Sequence, residues 1–176
     1  MSLTEALRIG ILGAAKIARS FTQGVRPSKA VRVAAVASRD IGKAQRFAAD
    51  CGIERHFGSY ESLLADREID AVYIPLPNSL HAEWTIRAAR AGKHVLCEKP
   101  LAASAAEAHA MFDAARRHGV KLVEGYPYLA QPQTLKMREL LEAGRSASLG
   151  SSKPVLDLPS PIAKTSASTR NSPAAP

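Results

Sequence analysis

The sequence predicts an α/β fold, a doubly wound parallel sheet with helices on both faces. Three observations predict it. Short apolar runs recur from residue 8 to residue 124 and alternate with stretches of helical periodicity. The runs are near-continuous in hydrophobicity, as in strands covered on both faces. The joins between runs and helical stretches are short, which favours parallel strands linked by helical crossovers.

Arg8–Gly13 (RIGILG) is the first strand, closed by glycine, and Ile17 and Phe21 begin a helical spacing after it. Val31–Ser38 (VRVAAVAS) is the second strand. Ala44, Phe47, Ala48 and Cys51 follow at i, i+3, i+4 and i+7, one face of a helix. His56-Phe57 reads as a short third strand, Tyr60–Ala65 as a brief helix and Ala71–Ile74 (AVYI) as a fourth strand. Leu80, Trp84 and Ala88 mark a helix that Gly92 closes, before a fifth strand at His94–Glu98. Ala108, Met111, Phe112 and Ala115 mark another helix, ending at Gly119 ahead of a sixth strand at Lys121–Glu124. A last helix runs from about Thr134 to Ala143. Residues 1–144 are therefore expected to form one domain. From Arg145 the chain has eight serines, five prolines and no aromatic residue, which predicts a disordered or non-native tail over 145–176.

The chain of 176 residues is long enough for one sizeable core. Its formal charge of +8 invites a nucleic-acid reading. Against it, the basic residues are scattered singly (Arg19, Lys29, Arg39, Lys43, Arg87, Lys93) and are not massed with aromatics. A phosphate-bearing cofactor welcomes the same positive surface. Cys51 and Cys97 lack metal or redox spacing, so buried, reduced thiols and a cytoplasmic location are expected. His56, His94, His109 and His118 show no ligand spacing, and no metal site is implied. No signal peptide and no membrane-spanning run is visible.

Ligands of doubly wound sheets bind at the carboxyl ends of the strands. The first strand ends in Gly10-Ile-Leu-Gly13-Ala14-Ala15-Lys16-Ile17-Ala18. Gly13, Ala15 and Ala18 stand where a dinucleotide-binding turn needs a tight bend, close backbone approach to a pyrophosphate and a small packing residue. The helix start then offers free N–H groups and a positive dipole end. Ala15 departs from the usual second glycine. The second strand ends in Ser38-Arg39-Asp40, where an adenosine ribose would lie. Ser38 stands in place of the acid that favours NAD, and Arg39 can face a 2′-phosphate. NADP is the expected cofactor; Asp40 keeps NAD open. After the fourth strand, Pro75-Leu76-Pro77-Asn78 enters the next helix. Asn78 is expected to cap that helix, Asn78 and His81 to line the nicotinamide side of the cleft, and Pro75 and Leu76 to contact the cofactor.

Glu98-Lys99-Pro100 closes the fifth strand. With PLPNSLH upstream and AGKHVLC between, it resembles the glucose–fructose oxidoreductase / inositol dehydrogenase / MocA-like (Gfo/Idh/MocA) family. The resemblance extends to Glu124-Gly125-Tyr126 and Gln131-Pro132-Gln133. It implies a dinucleotide-binding Rossmann domain and an NAD(P)-dependent oxidoreductase of sugars, polyols or related compounds, often a homo-oligomer. It places Lys99 at the chemistry, handling the substrate's proton, with Glu98 beside it, Tyr126 on the substrate side and a Lys–Pro bond that is often cis. A lysine partly withdrawn from water is suited to that proton transfer. The family's second, substrate-shaping domain is not visible after Gly144, and the composition shift there suggests a frameshifted tail. A non-catalytic dinucleotide-binding module and an inactive truncated fragment are the alternatives.

Overall fold

The computed structural model describes residues 6–144. Its elements are β1 (Leu7–Leu12), α1 (Lys16–Val25), β2 (Val31–Ala37), α2 (Ile41–Cys51), β3 (Arg55–Phe57), α3 (Tyr60–Ala65), β4 (Ala71–Ile74), α4 (His81–Arg90), β5 (His94–Glu98), α5 (Ala105–Arg117), β6 (Leu122–Gly125) and α6 (Pro132–Glu142). Every predicted element is present, with ends displaced by at most a few residues. The chain divides into two units, Met1–Ala130 and Gln131–Pro176. Helix α6 falls in the second of these units. That helix buries none of its residues and leaves Leu135, Met137 and Leu141 about half exposed. The expectation for the tail concerns residues 145–176, which lie outside the described residues.

In the first unit the strands form one sheet in the order β3-β2-β1-β4-β5-β6, with every neighbouring pair parallel. After β3 the chain returns to the other side of β1, so winding reverses between β1 and β4. That reversal is where an open parallel sheet leaves a crevice at its carboxyl edge. All four residues of β4 are buried. Val72 and Ile74 point to a core with Leu12, Leu63, Trp84, Val95 and Met111. Ala71 and Tyr73 point to the opposite core with Ile11, Val36 and Phe47. This alternation explains why the strand reads as an unbroken apolar run.

Side chains cap three of the helices. Asp40 accepts from the Lys43 N–H at the start of α2, Ser59 from Ser62 at α3 and Ser104 from Glu107 at α5. Asn78 does not cap α4, contrary to expectation. It opens a short 3-10 turn over Asn78–Leu80, and Leu80 stands at the cap position without a side-chain bond. The turn inserts an extra loop of backbone hydrogen bonding that sequence spacing does not reveal.

Two polar ties brace the amino edge of the sheet. Arg8 donates from Nε and Nη2 to the two carboxylate oxygens of Asp70, at 2.9 and 2.8 Å. The Arg8 guanidinium holds the Asp70 carboxyl below its ordinary range, against the opposing effect of burial. A depressed carboxyl stabilises the fold above its unfolded value of about 4 and loses that contribution as pH falls through its folded value. Asp70→Asn is therefore expected to be less stable than the parent near neutral pH. In urea titrations the gap should close as pH drops below about 4.

The second tie is Lys93, only 7% exposed. Its Nζ donates to the carbonyl oxygens of Asp66 and Ile69, both at 2.7 Å. Burial lowers its pKa, with Asp66 and Asp70 opposing. Lys93→Met keeps the stem but orphans two carbonyls. It is expected to cost about 3–6 kcal/mol in urea unfolding, the worth of two hydrogen bonds from a charged donor.

Candidate functional site

The cleft at the carboxyl edge begins with the turn between β1 and α1. Gly13 takes a φ of +116°, and its N–H donates to the Ala37 carbonyl at 2.9 Å. The Ala15 N–H donates back to the Gly13 carbonyl at 2.9 Å. Ala15 caps α1 without a side-chain bond, and no acidic residue sits in the first turn. The start of α1 therefore keeps its positive end free of side-chain capping, unlike α2, α3 and α5.

Gly13, Ala14, Ala15, Ser38, Arg39, Pro75 and Leu76 line one open cleft of about 390 Å³. Asp40, Lys43, Tyr60 and Pro77 complete it. Ser38 is buried, and its Oγ accepts from the Asp40 N–H at 3.3 Å. Asp40 spends one carboxylate oxygen on capping α2. Arg39 is exposed at the mouth. Burial raises the Tyr60 pKa, and the Arg39 guanidinium beside its hydroxyl opposes that rise.

Lys43 and Tyr60 were not legible as site residues. Lys43 lies in the first turn of the helix that follows the carboxyl end of β2, a spacing that could have flagged it. Tyr60 comes from α3 and reaches the cleft only through packing, its ring edge-on to Trp84 with centroids 4.8 Å apart.

A second hollow of about 360 Å³ lies along β4, β5 and β6, lined by Ile17, Phe21, Tyr73, Leu96, Glu98, Glu124, Gly125, Tyr126 and Pro127. The Tyr73 hydroxyl donates to Glu98 Oε1 at 2.7 Å, and the Lys99 N–H donates to Glu98 Oε2 at 3.2 Å. Burial and this bond both raise the Tyr73 pKa, which keeps the hydroxyl a donor. Glu98 is thus anchored to its own strand neighbours. Glu124 Oε1 accepts from the Leu101 N–H at 2.8 Å on the far side of the same turn. The Lys99–Pro100 bond is cis. Cys97 precedes this turn with a fully buried thiol whose pKa burial raises to about 11, so it stays protonated near neutral pH.

Three expected site residues are placed differently from the sequence reading. His81 is completely buried, with Nδ1 and Nε2 on the carbonyl oxygens of Pro100 and Leu76, and does not face the cleft. Lys99 is exposed, so the expected withdrawal from water is not provided by the described residues. Lys16 is exposed and lines neither hollow, because the helix turns its side chain to solvent. Asn78 is exposed beside the cleft, and Tyr126 is 47% exposed over the second hollow.

Among the described residues no helix is long and apolar enough to cross a membrane. Residues 7–126 match the Gfo/Idh/MocA oxidoreductase family, described as an NAD-binding Rossmann fold. The chain is 49% identical over 136 residues to D-xylose 1-dehydrogenase (NADP(+)) 2 of Haloferax volcanii, covering 77% of this chain and 42% of that protein. It is 46% identical over 141 residues to dTDP-3,4-didehydro-2,6-dideoxy-alpha-D-glucose 3-reductase of Streptomyces violaceoruber, covering 80% of this chain and 41% of that one. A crystal structure of a 3-ketoreductase from Actinomadura kijaniata in complex with TDP-benzene and NADP is 40% identical, with a TM-score of 0.74. The match covers 79% of this chain and 44% of that structure. The chain spans less than half the length of these relatives. The family match spans more than half of the chain, including the Gly13 turn and the Glu98-Lys99-Pro100 segment, and the chain belongs to the Gfo/Idh/MocA oxidoreductase family.

Proposed function

We propose that this chain is the cofactor-binding half of an NADP-dependent oxidoreductase acting on a sugar, a polyol or a related small molecule. The observation that carries the cofactor assignment is the pairing of Arg39 and Lys43 with buried Ser38 at the end of β2, next to the uncapped start of α1. The α1 terminus suits a pyrophosphate. Two cations and a hydroxyl, against the single carboxylate of Asp40, suit a 2′-phosphate. Asp40, the residue that could have restored NAD preference, is engaged in capping α2. Relatives whose names carry NADP(+) or a complex with NADP support the same choice. NAD remains the second cofactor to test.

The bound nicotinamide would supply or accept a hydride. The chain's own contribution is positional. Gly13 and Ala15 let the backbone approach the phosphates, Leu76 walls the cleft, and Glu98 fixes the backbone of the Lys99 turn. Lys99 then presents Nζ to hold or release the proton of the substrate oxygen when a second domain closes over it. Tyr126 adds an aromatic surface on the substrate side. The two buried free cysteines suit a reducing, cytoplasmic setting.

The test is a fluorescence titration of the purified chain with NADPH and, in parallel, NADH. Saturable binding that favours NADPH is expected. Equal or tighter binding of NADH would overturn the cofactor assignment. A second reading, a non-catalytic dinucleotide-binding module, is favoured by the exposure of Lys99. It predicts that joining a relative's substrate domain to this chain leaves sugars unturned while NADPH still binds.

A further inference from the structure

His81 joins two segments that the cofactor reading treats separately. It opens α4 and is 0% exposed. Its Nδ1 lies 2.9 Å from the carbonyl oxygen of Pro100, and its Nε2 lies 2.8 Å from that of Leu76. Leu76 belongs to the wall of the cofactor cleft, and Pro100 follows Lys99 directly. Carbonyl oxygens only accept: a neutral ring, with one N–H, holds one of them at a time, and only a ring with an N–H on each nitrogen holds both together. A ring this deeply buried is costly unless it is hydrogen-bonded, and more so when it carries the charge that two N–H groups imply. An apolar side chain would fill the same volume without that cost and without joining the two carbonyls.

The contacts continue on the cofactor side. The Leu76 side chain packs so closely on Gly13 that a Cβ there would meet Leu76 Cδ2 at 2.8 Å. A path of direct contacts therefore runs from the phosphate turn through Leu76 and His81 to the backbone that carries Lys99. On the far side of that turn, Glu124 holds the Leu101 N–H. Pro100 contributes no N–H of its own, so its carbonyl is the polar backbone group by which α4 can grip the turn.

We propose that His81 is a positioning residue: it straps the cofactor-facing loop at Leu76 to the Lys99 turn, so that cofactor bound against Leu76 steadies the backbone of Lys99. The functional half of this statement rests on the proposed NADP site. The strap itself does not.

Two conservative variants separate the two bonds. The amide nitrogen of His81→Asn falls near the Nδ1 position and can keep Pro100. That of His81→Gln falls near Nε2 and can keep Leu76. Hydrogen-exchange mass spectrometry on the full chain is read over peptides spanning 74–80, α4 and 97–103, without cofactor and with NADPH.

Without cofactor, His81→Asn is expected to speed exchange over 74–80 and His81→Gln over 97–103. Each increase should be about five- to tenfold, the scale of one lost buried hydrogen bond. With NADPH, the parent chain should gain protection over 97–103, and His81→Gln should bind NADPH but lose that gain. Unchanged exchange in both segments, or the same rise across all of α4 in both variants, would overturn the strap and leave His81 a packing residue. If the parent chain binds no NADPH, the cofactor reading fails, while the exchange without cofactor still decides the strap. Should both variants unfold, NMR of the unaltered chain decides it. Scalar couplings from the two ring nitrogens to the carbonyl carbons of residues 76 and 100 are expected, and finding only one of them would overturn the proposal.

Discussion

Arg39→Ala is expected to weaken NADPH binding by about 10- to 100-fold while leaving NADH nearly unchanged, the loss of charge-assisted hydrogen bonds to one phosphate. The guanidinium is exposed at the cleft mouth and stands beside the Tyr60 hydroxyl. It is therefore positioned without being buried, and its removal should not disturb the core. Fluorescence titration with both nucleotides at one ionic strength measures the ratio. Adding salt should weaken NADPH more than NADH in the parent chain and reduce that difference in the variant. A variant that loses both nucleotides equally would make Arg39 a residue of the shared pyrophosphate or adenine site. Lys43→Ala should reduce the same ratio in the same direction, because its ammonium lines the same end of the cleft.

Gly13→Val should abolish nucleotide binding and cost about 2–4 kcal/mol of stability, the sum of backbone strain and overpacking. Two effects act together at this position. Its φ of +116° is a conformation that side chains rarely adopt. A Cβ there would also collide with Leu76, itself part of the cleft wall. Gly92→Ala is the control. Gly92 has a φ of +72°, with nothing within 4 Å of the added carbon. It should cost about 1 kcal/mol and leave nucleotide binding intact. Thermal or urea unfolding reads the stability change, and NADPH titration reads the binding. Binding that survives in Gly13→Val would show that the phosphates do not approach this turn.

Periodicity was sufficient for the sheet because the two faces of its strands meet two separate cores. Val72 and Ile74 enter one core while Ala71 and Tyr73 enter the other, so AVYI had to be apolar throughout. The same logic exposed α2, whose buried face of Ala44, Phe47, Ala48 and Cys51 repeats at helical spacing. Asn78 misled for a local reason. A capping residue type before a helical pattern is ambiguous when a 3-10 turn can intervene, and only backbone hydrogen bonding separates the two outcomes.

The site divides in the same way. Gly13, Ala15, Ser38 and Arg39 were readable as neighbours in one cleft because strand ends recur at fixed distances along a parallel α/β chain, and such sheets open their crevice at those ends. Tyr60 was not readable, since α3 brings it to the cleft across a long stretch of chain. His81 was assigned to the cleft because it follows a cleft loop, but helix geometry turns its ring inward onto two carbonyls. Lys99 was marked by its neighbours in sequence, whereas its exposure depends on what covers the turn. The sequence by itself determined the order of elements, the strand-end residues and the family, because these depend on local spacing and local chemistry. Tertiary structure alone decided which polar groups face each other, as in Tyr73 with Glu98 and His81 with Leu76 and Pro100. Those pairings join residues whose separation along the chain carries no signal, and they exist only once the sheet has brought its strand ends together.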